Sequence, residues 1–167
     1  LLEEGLYAGH PFRSARLIDE LEGMGADPAE VAMWRARLAW VCGLEQLARR
    51  ELQELSGPGW VGRRAAGLAH LYALRPERAV EELRSAYAEA ENDMERYYAA
   101  VDLTCAMLSA GMTRRALEAS DSLAAALPRD GLSAVLRCLC LHRSGRYAEA
   151  MTGLDSLAAD TTVGAGA

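Results

Sequence analysis

The chain has 167 residues, with 18 basic side chains against 24 acidic ones and a net charge of −6. This acidic balance argues against nucleic acid or an anionic membrane as the main partner. The length allows one domain with a substantial core, or one uninterrupted array of small units. Half of the residues are apolar, Ala and Leu dominate and only one Phe is present, so the composition favours helices over strands.

The chain is predicted to contain ten helices, and five breaks that contain glycine or proline support this division. The breaks read GHP, GADP, SGPG, RPE and PRDG, and Asp27-Pro28 is a typical helix start. The predicted helices lie near 1–8, 12–24, 28–42, 44–55, 59–73, 76–90, 93–110, 113–126, 131–143 and 146–158. Residues 159–167, which end in TTVGAGA, are predicted to form a flexible tail.

A short frame recurs along the chain, in which an alanine follows a glycine by five residues. Its occurrences are Gly43 and Ala48, Gly111 and Ala116, and Gly145 and Ala150. Equivalent alanines at Ala15 and Ala79 give successive spacings of 33, 31, 37 and 34 residues. A period near 34 residues is typical of stacked helix–turn–helix units. The frame therefore predicts the turn of a helical hairpin, repeated along an array.

Each residue type in the frame has a physical reason. The glycine ends the first helix, where the backbone must turn in a left-handed conformation. The alanine is small because the two helices of one hairpin cross there closely. Apolar residues four and seven positions after it, such as Leu52 and Leu55, form a stripe on one helix face. A single hairpin cannot bury its apolar face alone, so the hairpins are expected to stack.

These features resemble the tetratricopeptide repeat (TPR) family. The matching residues are Gly145, Tyr147 and Ala150 at the turn, Pro128 at the end of a unit, and Gly67 inside a first helix. The resemblance implies an all-α, right-handed superhelical solenoid of four to five antiparallel hairpins in one domain, 1–158. Its units lie near 1–24, 28–55, 59–90, 93–126 and 131–158. The third unit departs from the pattern, because it has Leu74 where units two, four and five have a glycine.

Catalytic patterns are scarce. The histidines His10, His70 and His142 are single, without the spacing of a helical zinc pair. No glycine-rich phosphate loop or activated serine is evident. The cysteines lie in apolar helical pattern and are predicted to be reduced core thiols, which favours the cytoplasm; they are Cys42, Cys105, Cys138 and Cys140. We therefore expect no enzyme activity, cofactor or metal.

The first helix of each unit is expected to line a concave groove. The predicted groove stripe comprises Met33, Arg37 and Trp40 in unit two; Val61, Arg64, Leu68 and Leu71 in unit three; Tyr98, Val101, Cys105 and Leu108 in unit four; and Leu132, Val135 and Leu139 in unit five. A large exposed apolar patch usually marks a binding site. In one alternative the same residues form core between adjacent hairpins; in another, the tail or a second copy fills the groove.

The predicted function is a non-enzymatic scaffold that holds an apolar or amphipathic protein segment, with no nucleic acid and no membrane as partner. The segments LLEEGLYAGHPFRSARLIDEL and RLAWVCGLEQLARREL resemble the first hairpins of bacterial type III secretion chaperones. That resemblance implies an aggregation-prone secreted subunit as the partner. The all-arginine, alanine-rich composition also indicates a bacterial source. Two alternatives are an interaction or sensor module of a larger bacterial regulatory protein, and self-assembly through the ends, for example as a homodimer.

Overall fold

The structure is a computed structural model that describes residues 11–126 and 130–164, with side chains up to residue 159. Within these ranges all regular structure is helical, which confirms the predicted all-α class. The helices are α1 Pro11–Gly23, α2 Pro28–Val41, α3 Glu45–Leu55, α4 Gly59–Tyr72, α5 Pro76–Glu89, α6 Asp93–Ser109, α7 Thr113–Ala126, α8 Gly131–Arg143 and α9 Tyr147–Gly164.

Several helices begin with a proline in the first turn or with a side chain that caps the first amide groups. Proline occupies the first turn of α2, and the Asp27 carboxylate accepts a hydrogen bond of 2.9 Å from the Ala29 amide. The same capping occurs at α6, where the Asn92 side chain accepts a bond from the Glu95 amide. Such caps satisfy amide groups that have no partner inside the helix. The helix start predicted at Asp27-Pro28 is confirmed.

The last helix is longer than the sequence pattern indicates. It was expected to end near residue 158, but α9 continues to Gly164, and the flexibility predicted for residues 159–167 stays a prediction. Residues 159–164 contain no proline, and nothing in their backbone chemistry stops a helix before Gly164. The predicted helix 1–8, the closing Pro128 and residues 165–167 lie outside the described residues.

The chain divides into two compact units, 1–90 and 91–167. In the first unit each helix from α1 to α4 packs against the one that follows it, and α2 also contacts α4. A cluster of buried side chains joins α2, α3 and α4; its members are Met33, Ala36, Ala39, Ala48, Leu52, Ala65, Leu68 and Tyr72. In the second unit α6 packs on α7, α7 on α8 and α8 on α9, and α6 also contacts α8.

The turn frame has the geometry that the sequence predicts. Gly43, Gly111 and Gly145 have φ angles of 74°, 72° and 79°, all in the left-handed region. The alanines that follow them by five residues, Ala48, Ala116 and Ala150, are buried, as is Ala79 in the third unit. Each hairpin of this series therefore has a left-handed turn residue and a buried alanine.

Leu74 occupies the glycine position of the third unit, and its φ of 55° is also left-handed. It is 82% exposed, so its side chain contributes little packing. A left-handed conformation costs a non-glycine residue about 1–2 kcal/mol, whereas the extra freedom of glycine in the unfolded chain costs about 0.5–1 kcal/mol.

We expect Leu74→Gly to stabilise the protein by about 0.5–1 kcal/mol, because it removes the left-handed strain. Urea unfolding of both proteins measures the difference. Leu74→Ala is the control, since it removes the exposed side chain but keeps the strain, and it should leave the midpoint nearly unchanged. A lower midpoint for Leu74→Gly would contradict this account of the turn.

Candidate functional site

Part of the predicted groove stripe is core. Five of its members are buried: Met33, Arg64, Leu68, Val101 and Leu108. The exposure predicted for these five residues is wrong, and the alternative that they are core holds for them. The physical reason is that the first helix of an inner hairpin packs on more than one side. Its apolar residues therefore surround much of the helix, and their spacing does not distinguish a groove from a packing face.

A further seven members of the stripe are half-buried: Arg37, Trp40, Val61, Leu71, Tyr98, Cys105 and Leu132. Several of them pack within the first unit. The rings of Trp40 and Tyr72 stack with centroids 4.5 Å apart, and Val61 and Leu71 lie against the buried cluster. The guanidinium of Arg37 lies 5.3 Å from the ring centre of Trp34, which is a cation–π distance.

Only Val135 and Leu139, both on α8 and both 49% exposed, remain as exposed members of the predicted stripe. The neighbouring helix α9 exposes Tyr147, Met151 and Leu154 at a helical spacing. The rings of His142 and Tyr147 lie edge to face with centroids 5.1 Å apart. The ring of Tyr147 at the start of α9 therefore packs against the end of α8.

A second apolar surface lies in the first unit. A pocket of about 350 Å³, here called the α1–α3 pocket, opens between the start of α1, the second half of α2 and the start of α3. It is lined by Pro11, Phe12, Ala15, Arg35, Leu38, Ala39, Cys42, Leu44, Leu47 and Glu51. Phe12 is 91% exposed at its edge, and Leu44 and Leu47 are also exposed. This concave, largely apolar surface was not predicted from the sequence.

The charged side chains of the pocket are already engaged. The Arg35 guanidinium donates a hydrogen bond of 2.6 Å to Glu22 and lies 3.9 Å from Asp19. Glu51 lies 3.9 Å from the Arg50 guanidinium. The remaining lining is apolar, apart from the Cys42 thiol. The pocket therefore suits apolar side chains better than a charged group.

The cysteines differ from the prediction at one position. Cys138 and Cys140 are buried free thiols, Cys105 is half-buried, and Cys42 is exposed. Cys42 was predicted to be core, and this is wrong because it follows the last turn of α2 at the pocket. Burial raises the pKa of the Cys140 thiol, and the nearby polar side chain of Ser120 partly offsets the rise.

The described residues show neither a cluster that could bind a metal ion nor a helix that could span a membrane. These residues contain no group of three or more His, Cys, Asp or Glu side chains that could hold a metal ion. None of the described helices is both long enough and apolar enough to span a bilayer. His70 and His142 lie on different helices, and His10 is outside the described residues.

No model of a protein family matches the chain, and no curated protein matches it. Solved structures do match it. A Podosopora anserina protein described as a putative kinesin light chain, with nearly identical TPR-like repeats, has a TM-score of 0.61 at 16% identity, over 99% of this chain and 94% of its own. A variant of that protein with one substitution has a TM-score of 0.59 at 16% identity, over 95% and 90%.

A third neighbour is YrrB, which is described as a TPR protein with an unusual peptide-binding site. It has a TM-score of 0.56 at 14% identity, over 93% of this chain and 80% of its own. None of these descriptions mentions secretion, so the type III secretion resemblance has no support from the comparisons. At these identities the likeness concerns the fold. The chain is an all-α helical-repeat protein with a TPR-like fold.

Proposed function

We propose that this chain is a non-enzymatic protein-binding scaffold that holds an apolar or amphipathic protein segment in the α1–α3 pocket. The observation that supports it is the concave apolar lining with Phe12, Leu44 and Leu47 exposed around it. Apolar side chains left in water in this arrangement are typical of a binding site. We therefore propose the pocket, in place of the predicted groove stripe, as the main binding site.

The size of the pocket limits how the partner binds. A fully buried side chain of Leu or Val size contributes about 1.5–3 kcal/mol. Association costs about 4–15 kcal/mol before any net affinity appears. A pocket of about 350 Å³ holds two or three such side chains, and the free energy from burying them barely offsets the cost of association. The partner should also cover the ring of Phe12 and contact the surface beside it.

The nature of the partner follows from the sequence resemblance. Apart from Arg35, every residue that lines the pocket lies in the two segments that resemble type III secretion chaperones, 1–21 and 37–52. We therefore propose a small secreted subunit as the first candidate partner. The alternative is that the chain is an interaction module of a larger bacterial regulatory protein. In that case the partner would be a domain of the same signalling assembly.

We expect the double substitution Phe12→Glu and Leu44→Glu to reduce partner recovery at least tenfold, because each carboxylate would have to leave water on binding. Both side chains are exposed, so helix content should not change. The measurement is co-purification of the tagged chain from its host, with quantitative mass spectrometry.

Met24→Glu is the matched control for this experiment. Met24 is also an exposed apolar residue of the first unit, but it does not line the pocket. Its partner recovery should equal that of the wild type. Equal recovery from the pocket variant and from the control would refute the pocket as the binding site. Recovery of a secreted subunit, rather than a regulatory domain, would distinguish the two candidate partners.

A further inference from the structure

The packing of α8 on α7 provides an internal example of how a helix docks on the second helix of a hairpin. Cys140 of α8 lies close to Ser120 of α7. Arg137 of α8 donates a hydrogen bond of 2.6 Å from Nε to the Asp121 carboxylate of α7. Leu136, next to Arg137, is buried. The docked helix thus contributes a leucine, an adjacent arginine and a small residue four positions after the leucine.

The next repeat presents the same face without a helix on it. Because Ala116 and Ala150 are equivalent, a shift of 34 residues relates Ser120 to Leu154 and Asp121 to Asp155. Ser120 is fully buried, whereas Leu154 is exposed. Met151, the equivalent of the half-buried Leu117, is 57% exposed. The side of α9 that corresponds to the docking face of α7 is therefore uncovered within the described residues.

The first unit contains an arginine at the position equivalent to Arg137, and this arginine also pairs with an acidic residue. Arg35 and Arg137 each lie thirteen residues before the turn alanine of their own hairpin, Ala48 and Ala150. Each reaches an acidic residue on the preceding helix, since Arg35 donates a bond of 2.6 Å to Glu22 of α1. An arginine–carboxylate pair thus occurs at two helix contacts of the chain, between α2 and α1 and between α8 and α7. On α9 the corresponding acid is Asp155, which is exposed and forms no ion pair with any described residue.

We propose that the outer face of α9, formed by Tyr147, Met151, Leu154 and Asp155, docks an amphipathic helix of a partner protein in the way that α8 docks on α7. The partner helix carries a leucine, an adjacent arginine that pairs with Asp155, and a small residue four positions after the leucine. Because Leu154 is larger than Ser120, that small residue is alanine or glycine. This surface belongs to the second unit and is independent of the α1–α3 pocket.

The probe is a labelled peptide with the sequence of residues 130–144, in which Cys138→Ala and Cys140→Ala are introduced. Its binding to the full chain is followed by fluorescence anisotropy at low salt. We expect saturable binding that Met151→Glu abolishes. Asp155→Arg should weaken the affinity of the peptide at least fivefold. A peptide that carries Arg137→Glu should bind the Asp155→Arg protein with most of the original affinity, because the charge pair is restored in reverse.

Glu118→Arg is the control for the charge reversal, because Glu118 is an exposed acid of α7 away from this face. It should leave peptide binding unchanged. An isolated helix of this length is marginally stable, so a second measurement is needed. The same peptide sequence is joined after Ala167 through a Gly/Ser linker, which gives it an effective concentration on the order of millimolar. Amide exchange in α9 should then slow at least fivefold, and Met151→Glu should cancel this effect.

Three results would overturn the inference. The first is no peptide binding together with unchanged amide exchange in the fusion. The second is equal binding to the wild type and to Met151→Glu. The third is self-association of the wild-type chain that Met151→Glu abolishes, because a second copy would then be the occupant of this face.

Discussion

Replacing Leu108 by glutamate is expected to destabilise the second unit strongly, whereas the same replacement at Leu139 should have little effect on its stability. Leu108 on α6 is 7% exposed, and Leu139 on α8 is 49% exposed. A carboxylate at position 108 would be buried among apolar side chains, and we expect a loss of about 3–5 kcal/mol. At position 139 the carboxylate can reach water, and the loss should stay below about 1 kcal/mol.

Urea unfolding followed by circular dichroism measures both variants. The sequence alone predicts the same behaviour for both, with intact helices and lost partner binding, because both residues belong to the predicted groove stripe. Comparing the stabilities of the two variants therefore shows which of these two stripe residues is core and which is surface. Wild-type stability of Leu108→Glu would show that the interior of the second unit is wrongly assigned.

The second large effect is expected at Gly67, where α4 and α5 approach closely. A Cβ atom at this position would lie 2.4 Å from Cγ and 2.8 Å from Cδ2 of Leu83, which is itself fully buried. Replacing glycine by alanine inside a helix normally stabilises by about 1 kcal/mol. Here the overlap with Leu83 should outweigh that gain, and we expect Gly67→Ala to destabilise by about 1–3 kcal/mol.

A double-mutant cycle with Leu83→Ala assigns the cause of that loss. Leu83→Ala alone should cost about 2–5 kcal/mol, because it leaves a cavity. If the overlap is the cause, Gly67→Ala should cost little or nothing in the Leu83→Ala background. Gly131→Ala is the control, since an added Cβ there meets no atom within 4 Å. Equal effects of Gly67→Ala in both backgrounds would contradict a close approach of α4 and α5.

The repeat, the turns and the crossing alanines could be predicted because each depends on local chemistry. A left-handed turn favours glycine, and a close helix crossing favours alanine or glycine, as at Gly43, Ala48 and Gly67. Leu74 shows the limit of this rule. Its backbone is left-handed without glycine, because the hairpin imposes the turn despite the local cost.

The candidate site was harder to predict, because exposure depends on which neighbour covers a residue. Val101 and Val135 occupy equivalent positions in successive units, yet only Val101 is buried. Because both residues are valines at the same repeat position, the sequence does not reveal that they differ in burial. The α1–α3 pocket was missed for a related reason. Leu44 and Leu47 lie outside the stripe that follows Ala48, and they line a pocket only once α1 packs beside α2.

The most direct test of the proposed function is photo-cross-linking from position 12 in the living host. Replacing Phe12 by p-benzoylphenylalanine keeps an aromatic ring at the edge of the pocket and leaves the fold undisturbed, since this side chain is exposed. The same amino acid in place of Tyr87, an exposed aromatic residue on α5, is the control. The account predicts one dominant cross-linked protein from position 12 and none from position 87. No product from position 12, or the same products from both positions, would contradict it.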